Sequence, residues 1–149
     1  MGFDLYDDTG AHYRCSFWSN IWYMIGYLQL FEKEPLFNSF EMEEGYTNNG
    51  FYISEYKKDK LLHLLEKTLK NRNIHLFIAF HIKKENETKE KNFKIQKEIS
   101  FLLQEETKNL KKIQNLQKQV QGIDKFSLNE EDIKEFIDFL KESSGFRIL

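Results

Sequence analysis

The sequence predicts an α+β protein, with a small, mostly antiparallel sheet packed by about three helices and one further long amphipathic helix. Three observations predict it. Residues 3–6 alternate apolar and polar side chains, and residues 74–82 place a large apolar residue at every even position, a period of two that marks a strand. Other stretches carry Leu, Ile and Phe at three- and four-residue steps, the period of a helix with one buried face. Residues 83–121 hold no glycine or proline and are rich in Lys, Glu, Gln and Leu, all good helix formers.

Taken in order, Phe3 to Tyr6 reads as a strand that runs into an Asp7-Asp8-Thr9-Gly10 turn, and Ala11 to Cys15 as a second extended piece. Ser16 or Ser19 is placed to cap a helix that reaches about Phe31 and is apolar all round, with Pro35 helping to stop it. The pair Asn49-Gly50 lies between Glu44-Gly45-Tyr46-Thr47 and Phe51-Tyr52-Ile53. Because Asn-Gly tolerates the positive φ angles of a type I′ turn, a hairpin over 42–53 is expected. Ser54 is a candidate N-cap for a helix over 55–71, whose stripe is Leu61, Leu62, Leu65 and Leu69. The 74–82 segment is assigned to a core strand, its competitor being a continuation of that helix.

Ile95, Ile99, Leu102, Leu103, Leu110, Ile113, Leu116 and Val120 then mark a long amphipathic helix over 92–121, or a helical hairpin, with a register slip near Glu106. Ser127-Leu-Asn-Glu130 reads as a capping box before Ile133, Phe136, Ile137 and Leu140. Gly145 fits the residue after a helix, and Phe146 to Leu149 returns as a short strand. Nothing divides the chain, so one domain over 1–149 is expected, with 83–121 as an extended Lys/Glu-rich helical segment.

Composition narrows the function. Aromatic residues make up 15% of the 149 positions, which argues for a packed core, since each buried ring removes roughly 150–250 Å² from water. The formal net charge is −2, so the total calls for neither nucleic acid nor an anionic membrane. The charge is uneven: residues 1–50 carry eight acids against Arg14 and Lys33, and residues 83–118 carry ten Lys against six Glu. Glu residues interrupt those lysines, which reads as a solvated helix face rather than a nucleic-acid stripe. A single cysteine, Cys15, fits a reducing compartment. The N-terminus lacks a basic region and a cleavage signal, and Tyr6 stands where a myristoylation signal wants Ser or Thr. The apolar run 17–31 is too short for the ~20 residues of a bilayer span. A soluble, cytoplasmic protein is expected.

Four segments together resemble a family of small uncharacterised phage and prophage proteins. They are Met1 to Tyr6, Tyr13-Arg14 through Trp18 and Trp22, Asn48-Asn49-Gly50-Phe51, and Glu135-Phe136 to Ile148. Family members open with Met-Gly-Phe-Asp-Leu-Tyr and close with a helix leading into Ser-Gly-Gly-Phe-Glu-Ile. Here the tryptophan cluster is thinner, Ser143-Ser144-Gly145 replaces Ser-Gly-Gly, and segment 83–121 replaces a shorter middle. The resemblance implies a small accessory protein of a mobile element and lends no catalytic residue.

The residues supply no catalytic constellation and imply no cofactor. No phosphate-binding glycine loop is present. His12 with Cys15 supplies only two metal ligands, and His75 and His81 on one strand would stand roughly 20 Å apart. Cys15 lies near His12 without an acidic group to orient the histidine, so an inert buried thiol is the simpler reading. The aromatic cluster is more informative: Tyr13, Phe17, Trp18, Trp22 and Tyr23 crowd around Arg14. Aromatics with Arg are frequent binding anchors, and such rings also stack on nucleotides; the competing reading is that they fill the core. The candidate binding residues are therefore Tyr6, Tyr13, Arg14, Trp18, Trp22 and Asn49. The expected function is a non-enzymatic binding protein of a mobile element that inhibits or modulates a host defence or toxin protein. One alternative is a small-ligand or nucleotide-sequestering pocket at the aromatic cluster. Another is a metal-dependent hydrolase using Asp4, Asp7 and Asp8. A host protein is the expected partner, with a second copy docking through the 92–121 helix and a nucleotide as the others considered.

Overall fold

The computed structural model describes residues 2–105, 109–122, 126 and 128–149. It is α+β, and the described residues form a four-stranded antiparallel sheet and six helices, one of them long. Two compact units emerge: Met1–Ile78 with Ser127–Leu149, and Ala79–Phe126.

In the first unit, β1 (Phe3–Asp7), β2 (His12–Cys15), β3 (Phe51–Ser54) and β4 (Gly145–Ile148) form a sheet of order β2-β1-β4-β3. All three pairings are antiparallel, so the last residues of the chain lie between its first strand and β3. The period of two sends Phe3, Leu5, Cys15, Ile53, Phe146 and Ile148 to one face, where all are buried. Helices α1 (Trp18–Leu28), α3 (Glu55–Lys70) and α6 (Glu130–Glu142) supply the rest of that core with Trp18, Trp22, Ile25, Leu61, Leu65, Phe136 and Leu140.

Several expectations are corrected. Residues 42–53 do not form a hairpin. Residues Ser39–Glu44 are a short helix, α2, closed by a capping box in which Asn38 and Glu41 bond each other's backbone. Gly50 does take a positive φ of 79°, but the strand that follows pairs with β4 rather than with 44–47. Residues 74–82 are not a strand; they open α4 (Asn73–Leu103). A tight link ends α3, with Arg72 at φ 67° and Asn71 Oδ1 accepting from the Asn73 N–H at 3.0 Å, and the chain re-enters a helix at once. Helical spacing then buries Ile74 and Phe77 and turns Leu76 and Phe80 outward.

The caps of the outer helices also differ. The α1 cap is Phe17, with no side-chain bond, and neither Ser16 nor Ser19 serves; the helix tightens into a 3-10 turn at Gln29–Phe31. Ser54 does accept from the Lys57 N–H, at 3.3 Å. Ser127 lies outside the described residues, and the box that starts α6 is Asn129 with Asp132.

The second unit answers the 92–121 expectation with two helices rather than one. Helix α4 stops at Leu103, short of the register slip near Glu106, a residue outside the described ones, and α5 spans Leu110–Gln119. The Asn92 side chain ties the hairpin by donating to the Gln121 carbonyl at 2.7 Å and accepting from its N–H at 3.0 Å. Its core is small: Leu102, Ile113 and Leu116, with Ile95 and Ile99 against them. Among the described residues no helix is long and apolar enough to cross a membrane.

Candidate functional site

The residues singled out in the sequence divide between the two faces of the sheet. Trp18 and Trp22, four apart on α1, point into the core with no exposed surface, their rings stacked 5.3 Å apart. Each indole N–H reaches a carbonyl at 2.7 Å, Gly45 for Trp18 and Met42 for Trp22, so neither is available to a ligand. Gly45 is required there by close approach, since a Cβ on it would lie 2.1 Å from the Trp22 ring. Tyr13 shares the inner side and stacks on Phe139 at 5.3 Å. Its burial, with Cys15, Glu135 and Asp132 adding to it, pushes the phenol up to about 12. Burial likewise pushes the Cys15 thiol up to about 11, partly offset by a hydrogen bond with the Phe17 backbone, so it stays protonated at neutral pH. Asn49 is exposed in the turn before β3.

Tyr6 and Arg14 point the other way, and the structure adds three residues to them. Tyr6 is opposite His12 on β2 and opposite Arg147 on β4, and Arg147 is opposite Tyr52 on β3. The registers therefore align His12, Tyr6, Arg147 and Tyr52 in one row across all four strands, roughly 14 Å long at three interstrand spacings. All four are exposed. The row is held in place by its own contacts. The His12 ring stacks on Tyr6 at 4.7 Å while its Nε2 meets Asp4 Oδ1 at 2.7 Å. The Arg147 guanidinium lies 5.0 Å from the centre of the Tyr52 ring and donates to the Gly50 carbonyl at 3.1 Å. The Tyr52 hydroxyl donates to Asp8 Oδ2 at 2.7 Å, which holds the phenol above its ordinary value. Gly145, at φ 122°, makes that reach possible, since a Cβ there would come within 2.8 Å of the Tyr52 oxygen.

The composition of this face is unusual for the chain. It carries two of the three arginines, Arg14 and Arg147, and no lysine or glutamate among its outward strand positions, although lysine is the common base elsewhere. Protein-binding surfaces show this bias, because Tyr and Arg give contact area and directed bonds at low entropic cost whereas Lys and Glu are expensive to desolvate.

The N-terminal acids are not convergent. Asp7 is buried and bonds Thr9, Ser143 and Ser144, Asp4 is held by His12, and Asp8 by Tyr52. The histidines are dispersed as well. His75 meets Glu130 at 3.1 Å, and His81, on α4 rather than on a strand, stacks on Phe126 at 5.0 Å. Among the described residues no three of His, Cys, Asp and Glu are disposed to hold a metal ion. A separate cleft of about 500 Å³ lies between the 32–36 loop and α3, with Pro35, Leu36 and Leu64 in its walls and Tyr56, Lys60 and His63 at its edge. Two more of its lysines are paired, Lys67 with Glu32 at 2.9 Å and Lys57 with Glu41.

Sequence reasoning missed His12, Tyr52 and Arg147 as members of one site. Their outward direction follows from alternation within each strand, but their alignment needs the strand order. Comparison with models of protein families, with curated proteins and with solved structures finds no match for this chain.

Proposed function

We propose that this chain is a non-enzymatic binding protein of a phage or other mobile element, which engages and modulates a host protein through the open face of its sheet. The observation that carries the reading is the row His12–Tyr6–Arg147–Tyr52, exposed across all four strands and pre-ordered by its own stacking and hydrogen bonds. Pre-ordering lowers the entropy lost when a partner docks. A folded protein is favoured over nucleic acid because a phosphate backbone recruits an excess of Lys and Arg, and the two arginines of this face are offset by Asp4 and Asp8. The mobile-element and host parts rest on the resemblance of the opening and closing motifs to phage proteins.

The test is native mass spectrometry of the tagged chain recovered from its host, alongside a Tyr52→Ala/Arg147→Ala variant. A stoichiometric partner held by the wild type and weakened more than ~30-fold in the variant is expected, the loss of about 2 kcal/mol or more that anchor residues bring. A partner held equally by both would move the site off the sheet. The 500 Å³ cleft favours a second reading, a small anionic ligand bound near Tyr56, Lys60 and His63, since such volumes suit small molecules. Calorimetric titration with nucleotides checks it, and absence of heat at millimolar ligand would end it.

A further inference from the structure

Backbone bonding leaves the sheet open at β2. Asp4 exchanges both of its backbone bonds with Leu149, at 2.8 Å each, so Asp4 and Tyr6 face β4 while Phe3, Leu5 and Asp7 face β2. Asp7 accordingly donates to the Ala11 carbonyl at 2.8 Å. Through the register Phe3↔Cys15 and Leu5↔Tyr13, Tyr13 and Cys15 take the inward bonds, and the N–H and C=O of His12 and Arg14 point away from the sheet. Strand β2 is terminal, both residues are exposed, and among the described residues no hydrogen bond reaches these backbone groups. At the opposite end of the sheet, β3 offers only Tyr52 in the same way, because Ser54 already caps α3.

We infer that an extended segment of the protein partner adds antiparallel along β2 and places a carboxylate opposite Arg14, an inference that rests on the sheet being the docking surface. A row of unpaired backbone groups is a template for another strand. The sequence of β2, His-Tyr-Arg-Cys, lacks the lysine or proline that commonly blocks such an edge. The charge follows from Arg14, which is in no ion pair among the described residues. Its neighbour across the pairing, Asp4, is held instead by His12 at 2.7 Å. In an antiparallel addition the residue opposite Arg14 shares the open face with it, and a carboxylate there meets a planar, two-pronged donor. The next residue turns inward beside half-buried Tyr13 and Phe139, whose rings stack at 5.3 Å. An apolar side chain extends that packing, whereas an acid would face Asp132 and Glu135 of α6, which already act on Tyr13. The docking segment therefore alternates acidic and apolar residues, with the acids on the open face.

The probe is a synthetic peptide of about six residues alternating Glu and Val, long enough to span β2, with a Lys and Val peptide as its counterpart. Each is titrated into the isotope-labelled full chain and followed by the backbone amide signals in NMR. The Glu/Val peptide is expected to shift the amides of His12 and Arg14 and to slow their hydrogen exchange, with a Kd of roughly 0.1–1 mM. It should bind about tenfold tighter than the Lys/Val peptide, an exposed attraction standing against a repulsion of similar size. Arg14→Glu should reverse that order. Arg14→Pro, which removes the outward N–H at an edge position that tolerates proline, should abolish binding of both. Circular dichroism verifies that the variants fold; if Arg14→Pro does not, Arg14→Glu carries the test. Equal binding of the two peptides, or an order that Arg14→Glu leaves unchanged, overturns the inference. So do shifts confined to other strands, or none with either peptide at about 5 mM. Loss of a host partner in Tyr52→Ala/Arg147→Ala decides the sheet face separately, so the added strand can fail while the face stands.

Discussion

Replacing Asp7 with Asn alters one of the few charges buried in the first unit. The Asp7 carboxylate accepts the Ser143 hydroxyl at 2.7 Å and the Ser144 N–H at 2.8 Å on Oδ1, and the Thr9 N–H at 2.9 Å on Oδ2, where the Thr9 hydroxyl also bonds. It thereby fastens the end of β1 to the junction of α6 and β4, two points at opposite ends of the chain. Asn keeps one acceptor oxygen and turns an NH₂ toward two donors, so two charge-assisted bonds are lost. At about 1.5–3 kcal/mol each, Asp7→Asn is expected to cost about 3–6 kcal/mol, a large part of a typical 5–15 kcal/mol stability. For a chain of this length that is a fall in Tm of roughly 10–20 °C.

The pH dependence carries a second signature. Burial alone would raise the Asp7 carboxyl, but the bonds from Thr9, Ser143 and Ser144 outweigh it and hold the group well below the usual carboxylate range. A depressed folded value means the unfolded chain binds the proton first. The Asp7 contribution is therefore complete above the unfolded value of about 4 and is lost as pH falls through and below it. Thermal unfolding followed by circular dichroism from about pH 7 to pH 3 should show the wild type losing its advantage over Asp7→Asn below about pH 5. A variant within about 1 kcal/mol of wild type, with a parallel acid limb, would refute the argument. It would also reopen a chemical role for the N-terminal acids.

Three further outcomes follow from the packing. Gly45→Ala drives a Cβ into the Trp22 ring and should cost about 1–3 kcal/mol by chemical denaturation, with a shift in tryptophan fluorescence. Trp18→Phe keeps an aromatic ring but leaves the Gly45 carbonyl without its donor; a loss of about 2–4 kcal/mol is expected, part unsatisfied acceptor and part cavity. In hydrogen exchange, amides of α5 should exchange well before those of α1 and α6, because among the described residues the hairpin core is three buried side chains with two neighbours. Equal protection across both units would contradict that.

Much of the sheet was legible because alternation is a local property. It placed a strand at 3–6, an extended piece ending at Cys15 and a closing strand at 146–149. Local signals failed where they were cheap to satisfy in another way. Asn49-Gly50 supplied the positive φ, yet the preceding acids found a capping box with Asn38 and became a helix. The tryptophans are Arg14's neighbours in sequence, but their shared spacing on α1 takes them into the core. The row on the open face was out of reach, because it joins positions 6, 12, 52 and 147 and only the order β2-β1-β4-β3 makes them adjacent.

The segment 74–82 holds the most information, because both periods fit it and the choice has a visible cost. As a strand it would bury every even position on one face, but it would have to pair along an outer edge of the sheet, and both edge strands, β2 and β3, are only four residues long. As a helix it continues without a break into a stretch with no glycine or proline, gaining backbone hydrogen bonds that ask for no partner strand. The helix keeps Ile74 and Phe77 in the core and turns out Leu76 at 68% exposure and Phe80 at 62%. Burying one such side chain is worth about 1.5–3 kcal/mol, and the helical choice forgoes most of that at both positions in exchange for backbone bonds that close within the segment.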